Sequence, residues 1–268
     1  MFRAKLSVVC ACLLAISTSL ITGCSTTPVD PTAGMSPNTL YSEAKGEMSQ
    51  GEWDKAVPLL EKLEARAAGT PLAQQAQLEK AYAHYKTGEA AQALATLERF
   101  IKIHPASPAL DYALYLKGII NFNGDLGLFS NIVRQDLAER DQKASKESFE
   151  AFKELVTRFP DSSYSPDARQ RMSYIVSSLA QYEVHVARYY YKRGAYLAAI
   201  NRAQLAVADY RDVPAIEEAL YIIYKSYDAL GMTQLRDDAQ RVLDKNYPNS
   251  EFFTKGVKQN KDPWWKVW

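Results

Sequence analysis

Apolar residues recur at spacings of three and four from about residue 38 to residue 246, which is the periodicity of amphipathic helices. No Asn-Gly or Asp-Gly turn stands between two alternating segments; Asn123-Gly124 lies in a stretch with no strand pattern on either side. The pattern predicts an all-α chain of about ten helices in five pairs, one of them unusually long. The predicted pairs are 38–50 with 53–67, 72–87 with 90–103, 108–121 with 142–159, 166–193 with 196–210, and 215–230 with 234–246.

Glycines punctuate this pattern at a regular interval. Gly51 and Gly88 are 37 residues apart, and so are Gly194 and Gly231. Glycine suits a tight turn between helices because it adopts positive φ without a Cβ penalty. The sequence around these glycines resembles the tetratricopeptide repeat, a pair of helices normally 34 residues long. Small residues fall where that family packs helix against helix: Ala44, Ala81, Gly118 and Ala187 in first helices, and Ala56, Ala93 and Ala199 in second helices.

Repeat units bury their cores only by stacking on their neighbours. We therefore expect a tetratricopeptide superhelix, either one elongated array or two short arrays joined rigidly by the long helix 166–193. The predicted division is an N-terminal half at 37–165 and a C-terminal half at 166–250, with an insertion at 121–142 inside the third pair.

The first residues have the features of an export signal. Arg3 and Lys5 precede an apolar run at 6–21, and the sequence LITGC follows. This ending resembles a bacterial lipobox, which implies cleavage after residue 23 and a diacylglyceryl and N-acyl lipid on Cys24. The alternative is an ordinary signal with a chance cysteine. Residues 24–36, rich in Ser, Thr and Pro, are predicted to be a flexible tether.

Charge and residue types give little support to catalysis or nucleic-acid binding. Without residues 1–23 the chain has 30 basic and 31 acidic residues, so no basic face for nucleic acid is indicated. His84, His104 and His185 are scattered and form no zinc spacing, and no phosphate loop or nucleophile elbow occurs. We predict no enzyme activity, no metal and no cofactor, although a cell-wall enzyme is kept as a remote alternative.

The surface is then the candidate site. In a tetratricopeptide array the first helices line the concave groove. Applying the repeat phase predicts an aromatic N-terminal groove; the alternative for each side chain is a place in the core between repeats. Its members are Tyr41, Leu78, Tyr82, Tyr85, Tyr112, Tyr115, Ile119 and Phe122. The same phase predicts a more polar C-terminal wall, made of Val184, Arg188, Tyr191, Glu218, Tyr221, Lys225 and Asp228. An aromatic groove suits an extended peptide with aromatic side chains.

The last residues have an unusual composition. Trp264, Trp265 and Trp268 make up three of the four tryptophans of the chain. The tail 251–268 is interpreted equally well as a segment that docks on a partner, a membrane contact or a disordered end.

Several longer stretches resemble the BamD (ComL/YfiO) family, lipoproteins of the outer-membrane β-barrel assembly machine. They include LERFIKIHPASPALDYALYLKGI, FKELVTRFPDSSYSPDARQRM and LAQYEVHVARYYYKRGAYLAAINR. The resemblance implies a non-enzymatic, lipid-anchored scaffold on the periplasmic side of the outer membrane, where Ser25 after the cysteine also resembles the default sorting signal.

The resemblance also implies the partners. The N-terminal half would receive the aromatic C-terminal signal of unfolded β-barrel proteins, and the C-terminal half would bind BamA, with BamC and BamE as further partners. The contact arginine implied by the stretch GAYLAAINR is Arg202, and Arg188 is predicted to contribute to the same contact. The alternative is another tetratricopeptide outer-membrane lipoprotein, such as a pilotin for secretin assembly.

Overall fold

The computed structural model describes residues 30–126 and 142–257. Within these ranges the chain is helical and contains no strand, as predicted. The helices are α1 Pro37–Ser49, α2 Trp53–Arg66, α3 Pro71–Lys86, α4 Ala90–Ile103, α5 Leu110–Leu126, α6 Lys143–Arg158, α7 Ser165–Lys192, α8 Tyr196–Asp209, α9 Ala215–Ala229, α10 Thr233–Asn246 and α11 Phe252–Lys255. All ten predicted helices are confirmed, and α11 is an additional short helix that the sequence pattern did not indicate.

Local signals explain where the helices begin and turn. Ser36 and Thr70 cap α1 and α3 through their side chains, and each is followed by a proline in the first turn. The four glycines at the predicted turns have positive φ, between 71° at Gly231 and 84° at Gly88. The 37-residue spacing therefore marks the same structural position in each pair.

From α1 to α10 each helix packs against the next helix of the chain, and first helices also touch first helices, α3 with α5 and α7 with α9. The small residues predicted at helix crossings are buried: Ala44, Ala56, Ala81, Ala93, Ala187 and Ala199 have no exposed surface. Gly118 has the tightest crossing, since a Cβ there would lie 2.4 Å from the Phe152 ring. Close helix approach at small residues is therefore confirmed.

The long helix α7 belongs to two hydrophobic clusters. Ala168, Ile175 and Leu179 pack with α5 and α6, whereas Val184 and Ala187 pack with α8 and α9. One continuous helix thus joins the cores on either side, and the division at 165/166 stays a prediction. None of the helices in 30–126 and 142–257 is long and apolar enough to cross a membrane.

The second half of the predicted tether is held in place, so its description as a flexible tether is wrong from residue 30 onward. Lys62 Nζ donates to Asp30 Oδ1 at 2.6 Å, and Arg66 Nη1 donates to the carbonyl oxygens of Thr32 and Met35 at 2.7 and 3.0 Å. These donors on α2 fix residues 30–36 against the first pair. The predicted signal, Cys24, most of the insertion and the three tail tryptophans lie outside the described residues.

Candidate functional site

Aromatic side chains lie along the first helices α1, α3 and α5 and at the start of α7. We call this surface the aromatic face. It comprises Tyr41, Tyr82, Tyr85, Tyr112, Tyr115, Ile119, Phe122 and Tyr164, all of them partly buried. Seven of these eight residues were predicted for the groove. Tyr164 was not predicted because it lies just before α7, outside the first-helix phase.

Ring contacts connect the aromatic face from one repeat to the next. Tyr115 stacks on Tyr164 with ring centroids 4.7 Å apart, and Tyr112 approaches the same ring at 5.7 Å. At the other end Trp53, on α2, meets the Tyr82 ring edge-on at 5.5 Å. Such pairs hold the rings in fixed orientations beyond what simple burial provides. Trp53 was not predicted because it lies on a second helix, whereas the repeat phase places only residues of first helices in the groove.

Two carboxylates anchor the tyrosines of this face. Glu79 Oε1 accepts hydrogen bonds from the Tyr41 hydroxyl at 3.0 Å, from Gln75 at 2.8 Å and from Lys45 at 3.3 Å. Since Tyr41 and Lys45 belong to α1, this buried carboxylate ties the first repeat to the second.

Asp167 is the second carboxylate, and it ties α5 to α7. Its Oδ2 accepts from the Tyr115 hydroxyl at 2.8 Å and from Arg171 Nε at 2.6 Å. Burial opposes ionisation of Asp167, but the hydrogen bonds from Arg171 and Tyr115 outweigh it and lower the pKa of this carboxyl. The aspartate is therefore a charged acceptor at neutral pH.

Three phenols of the face, those of Tyr41, Tyr112 and Tyr115, have a raised pKa and are neutral at physiological pH. Burial, followed by the neighbouring Tyr164, Tyr82 and Glu79, raises the pKa of Tyr112 to about 12. Burial also raises the pKa of Tyr41 and Tyr115, and the carboxylates that accept from them add to it. The aromatic face therefore offers mainly neutral ring surface to a partner, because the hydroxyl protons of Tyr41 and Tyr115 are already donated to Glu79 Oε1 and Asp167 Oδ2.

One residue of the predicted groove is in the core instead. Leu78 is 2% exposed and packs in the cluster that contains Leu97 and Phe100. The prediction was wrong for Leu78 because the repeat phase places this position in the groove, whereas the stacking of the helices turns it into the core. Gln75, Glu79 and Tyr82 turn towards the aromatic face, whereas Leu78 points between α3 and α4.

The predicted polar wall is also partly internal. Val184 is 1% exposed and belongs to the C-terminal core. Arg188 forms a bidentate pair inside the fold, since its Nε and Nη2 donate to the two carboxylate oxygens of Glu218 at 2.6 and 2.9 Å. The two side chains are only 15% and 3% exposed. The structure therefore assigns Arg188 to an internal ion pair between α7 and α9, and its prediction as a partner contact is corrected.

Arg202 has a different environment. It donates through Nη1 to Glu183 Oε2 at 3.0 Å, and its side chain is 41% exposed. It lines a surface pocket of about 470 Å³, together with Lys143, Lys146, Glu147 and Tyr182. This guanidinium remains accessible on one side, as a contact residue must be.

The described residues contain no candidate metal centre. In 30–126 and 142–257 no three His, Cys, Asp or Glu side chains are grouped so that they could hold a metal ion. His84 contacts Glu89 at 2.6 Å, while His104 packs on Phe100 with centroids 5.1 Å apart. The absence of enzyme activity and of a cofactor stays a prediction.

Stacked helix pairs with an extended face of ordered side chains define a helical-repeat scaffold, a class of protein that acts by binding. More particularly, the model of the YfiO family, described as outer membrane lipoprotein, matches residues 33–243. The chain belongs to this family.

Two relatives extend the similarity over nearly the whole chain. The outer membrane protein assembly factor BamD of Neisseria meningitidis serogroup A is 43% identical over 255 residues, which is 95% of this chain and 96% of the relative. BamD of Vibrio cholerae is 34% identical over an alignment that covers 86% of this chain and 95% of the relative. A crystal structure of TPR-like repeats of a putative kinesin light chain from Podosopora anserina covers 80% of this chain and 96% of its own at 18% identity. Its TM-score of 0.34 is too low to support a structural argument.

Proposed function

We propose that this protein is an outer membrane protein assembly factor, a scaffold of the β-barrel assembly machine on the periplasmic side of the outer membrane of a Gram-negative bacterium. The observation that carries the proposal is the 43% identity, over 95% of the chain, to a relative with that name. The relatives give no support to a pilotin, because they are named as assembly factors. Anchoring by a lipid on Cys24 is part of the proposal.

The aromatic face is the proposed receptor for unfolded β-barrel proteins, whose C-terminal signal ends in an aromatic residue. Tyrosine rings offer apolar area at a low cost in side-chain entropy, and their hydroxyl groups stay satisfied at a wet edge. An extended chain laid across α1, α3 and α5 would meet Tyr41, Tyr82 and Tyr115 in turn. Aromatic side chains of the client would then pack against rings that are already ordered.

Preorganisation strengthens this argument. Binding normally costs about 0.5–1.5 kcal/mol for each rotamer-rich side chain that becomes fixed. Glu79 holds Tyr41, and Asp167 holds Tyr115, before any client arrives. The Tyr164 ring is held in turn by its stack on Tyr115. Most of this ordering cost is therefore already met by the fold.

The C-terminal half is the proposed docking region for BamA, with Arg202 as the contact arginine and BamC and BamE as further partners. The exposed side of the Arg202 guanidinium supports this assignment, because it retains donors that Glu183 does not use. An acidic group of a partner would accept hydrogen bonds from the guanidinium N–H groups of Arg202 that Glu183 does not use.

Purification of the protein from detergent-solubilised membranes tests the proposal. We expect BamA, identified by mass spectrometry, as the main partner, and we expect Arg202→Glu to release it. Lys102→Glu is the matched control, since Lys102 is an exposed cation on α4, outside the C-terminal half. Recovery of a secretin in place of BamA would contradict the proposed function. Retention of BamA by Arg202→Glu would contradict only the contact residue.

A further inference from the structure

A second set of aromatic rings lies in the C-terminal half, where the chain folds back on itself. We call it the C-terminal aromatic patch, made of Tyr191, Tyr196, Tyr221, Tyr224, Phe252 and Phe253. The short helix α11 supplies the two phenylalanines and packs against α9. Phe252 stacks on Tyr221 with centroids 5.7 Å apart and planes at 29°, and Phe253 meets Tyr221 and Tyr224 edge-on at 5.9 and 5.8 Å.

The patch continues beyond α11 towards α7 and α8. Tyr191 and Tyr196 form a pair at 5.8 Å. Burial raises the pKa of Tyr191, and both Tyr221 and Tyr196 are near enough to add to that shift. Tyr191, Tyr221, Tyr224 and Phe252 all pack in the same C-terminal hydrophobic cluster, so rings from α7, α9 and α11 lie in one region of the fold.

Part of this surface is uncovered at the point where the described chain ends. Phe253 remains 42% exposed although it touches two tyrosines. Gly256, with φ of +68°, turns the chain after α11, and Val257 packs against the C-terminal core beside the patch. The chain thus leaves the described region directly next to exposed ring surface.

The residues that follow are rich in the side chain that best covers such a surface. The eleven residues from 258 to 268 include Trp264, Trp265 and Trp268. Eleven residues reach at most about 36–40 Å, which exceeds the ring-to-ring steps across the patch. Tryptophan buries a large area and forms specific pairs with tyrosine and phenylalanine.

We propose that the C-terminal segment is an internal ligand of this chain: the tryptophans of residues 258–268 dock on the C-terminal aromatic patch, continuing the contact that Phe252 and Phe253 begin. The occupant is the chain's own tail because α11 already places that tail on the patch, so the effective local concentration of the tryptophans is high. The docking does not depend on the proposed function of the aromatic face.

Tryptophan fluorescence tests this directly in the full chain. Trp53→Phe removes the fourth tryptophan, so all tryptophan emission, excited selectively over the tyrosines, then comes from the tail. The synthetic peptide KQNKDPWWKVW is the reference for an undocked tail. We expect the tail emission to be shifted to shorter wavelength, and its quenching by acrylamide to be reduced, relative to that peptide.

Two further substitutions locate the docking site. In the Trp53→Phe background, Phe253→Ala and Tyr191→Ala should each cause loss of the protection from quenching, while circular dichroism verifies unchanged helicity. Tyr189→Ala is the matched control, since Tyr189 lies on the same helix as Tyr191, is 52% exposed and pairs with Tyr190 outside the patch. It should leave the protection intact.

Other occupants give different results, and each would overturn the proposal. Protection that appears only after addition of phosphatidylethanolamine–phosphatidylglycerol vesicles would mean that the tail contacts a membrane. Protection that disappears on dilution would mean docking on a second copy. Quenching equal to that of the free peptide, or unchanged by both Phe253→Ala and Tyr191→Ala, would show that the patch does not hold the tail.

Discussion

The hydroxyl of Tyr115 on α5 donates a 2.8 Å hydrogen bond to Oδ2 of Asp167 on α7, 52 residues further along the chain. The same tyrosine ring stacks on Tyr164. This single side chain therefore links the third repeat to the long helix and also presents its ring on the aromatic face. Stability and binding both depend on it, but through different atoms.

Removing only the hydroxyl separates the two roles. Tyr115→Phe keeps the stack on Tyr164 and leaves Asp167 paired with Arg171, so we expect a loss of about 0.5–1.5 kcal/mol in the free energy of unfolding. Urea titration followed by circular dichroism measures it. Tyr174→Phe is the control, because the 49% exposed Tyr174 contributes its ring contact with Phe122 but no hydroxyl bond to Asp167. Equal stability of the two variants would show that the Tyr115–Asp167 bond contributes nothing.

The crossing at Gly118 permits a sharp test of packing. A Cβ at this position would lie 2.4 Å from the Phe152 ring, so Gly118→Ala should destabilise the fold by about 1–3 kcal/mol. Gly46→Ala is the matched control in α1, where a Cβ meets nothing within 4 Å. There the better helix propensity of alanine should stabilise by up to about 1 kcal/mol. Thermal melts of both variants should shift in opposite directions; a shift in the same direction would refute the packing argument.

Removing one partner of the Arg188–Glu218 ion pair should lower the free energy of unfolding substantially. Glu218→Gln leaves a largely buried guanidinium without its counter-charge, and we expect a loss of about 3–5 kcal/mol. Replacement of both partners by methionine should recover much of that loss, since neither charge is then buried alone. A double-mutant cycle by urea titration measures the coupling. If Glu218→Gln unfolded at the same urea concentration as the parent, the pair would have no structural role.

The hydrogen bonds that hold residues 30–36 against α2 should depend on pH. The hydrogen bond from Lys62, followed by those from Thr32, lowers the pKa of Asp30 below its ordinary value of 3.8. A carboxyl with a lowered pKa stabilises the folded state fully above its unfolded-state pKa, and the effect is lost as the pH falls through the folded-state pKa. We therefore expect the amide of Thr32, which donates to Asp30, to be protected from hydrogen exchange at neutral pH and to lose protection in acid.

Asp30→Ala should remove that protection at all pH values, because it leaves the Thr32 amide without its side-chain acceptor. Glu52→Ala serves as the control, since the Glu52 side chain pairs with Lys55 at the exposed surface. Unchanged exchange at Thr32 in Asp30→Ala would mean that Arg66 alone holds this segment.

The helices were predictable because their signals are local. Apolar spacing, the glycines at the turns and small residues such as Gly118 each report on a few neighbouring positions. The orientation of α3 about its axis was not predictable, because it depends on how the pairs stack, and for this reason Leu78 was placed in the groove and Glu79 was not. The pairing of Arg188 with Glu218 joins residues 30 positions apart and leaves no periodic signal.

The central claim is that the aromatic face receives extended peptides with an aromatic end. Isothermal titration calorimetry with a synthetic peptide ending in Phe tests it most directly, using Tyr82→Ala and Tyr115→Ala against the control Tyr189→Ala. We expect each substitution in the aromatic face to weaken binding about tenfold, equivalent to about 1.4 kcal/mol, and the control to bind like the parent. Equal affinity of all four proteins for the peptide, or no binding by the parent, would contradict the account.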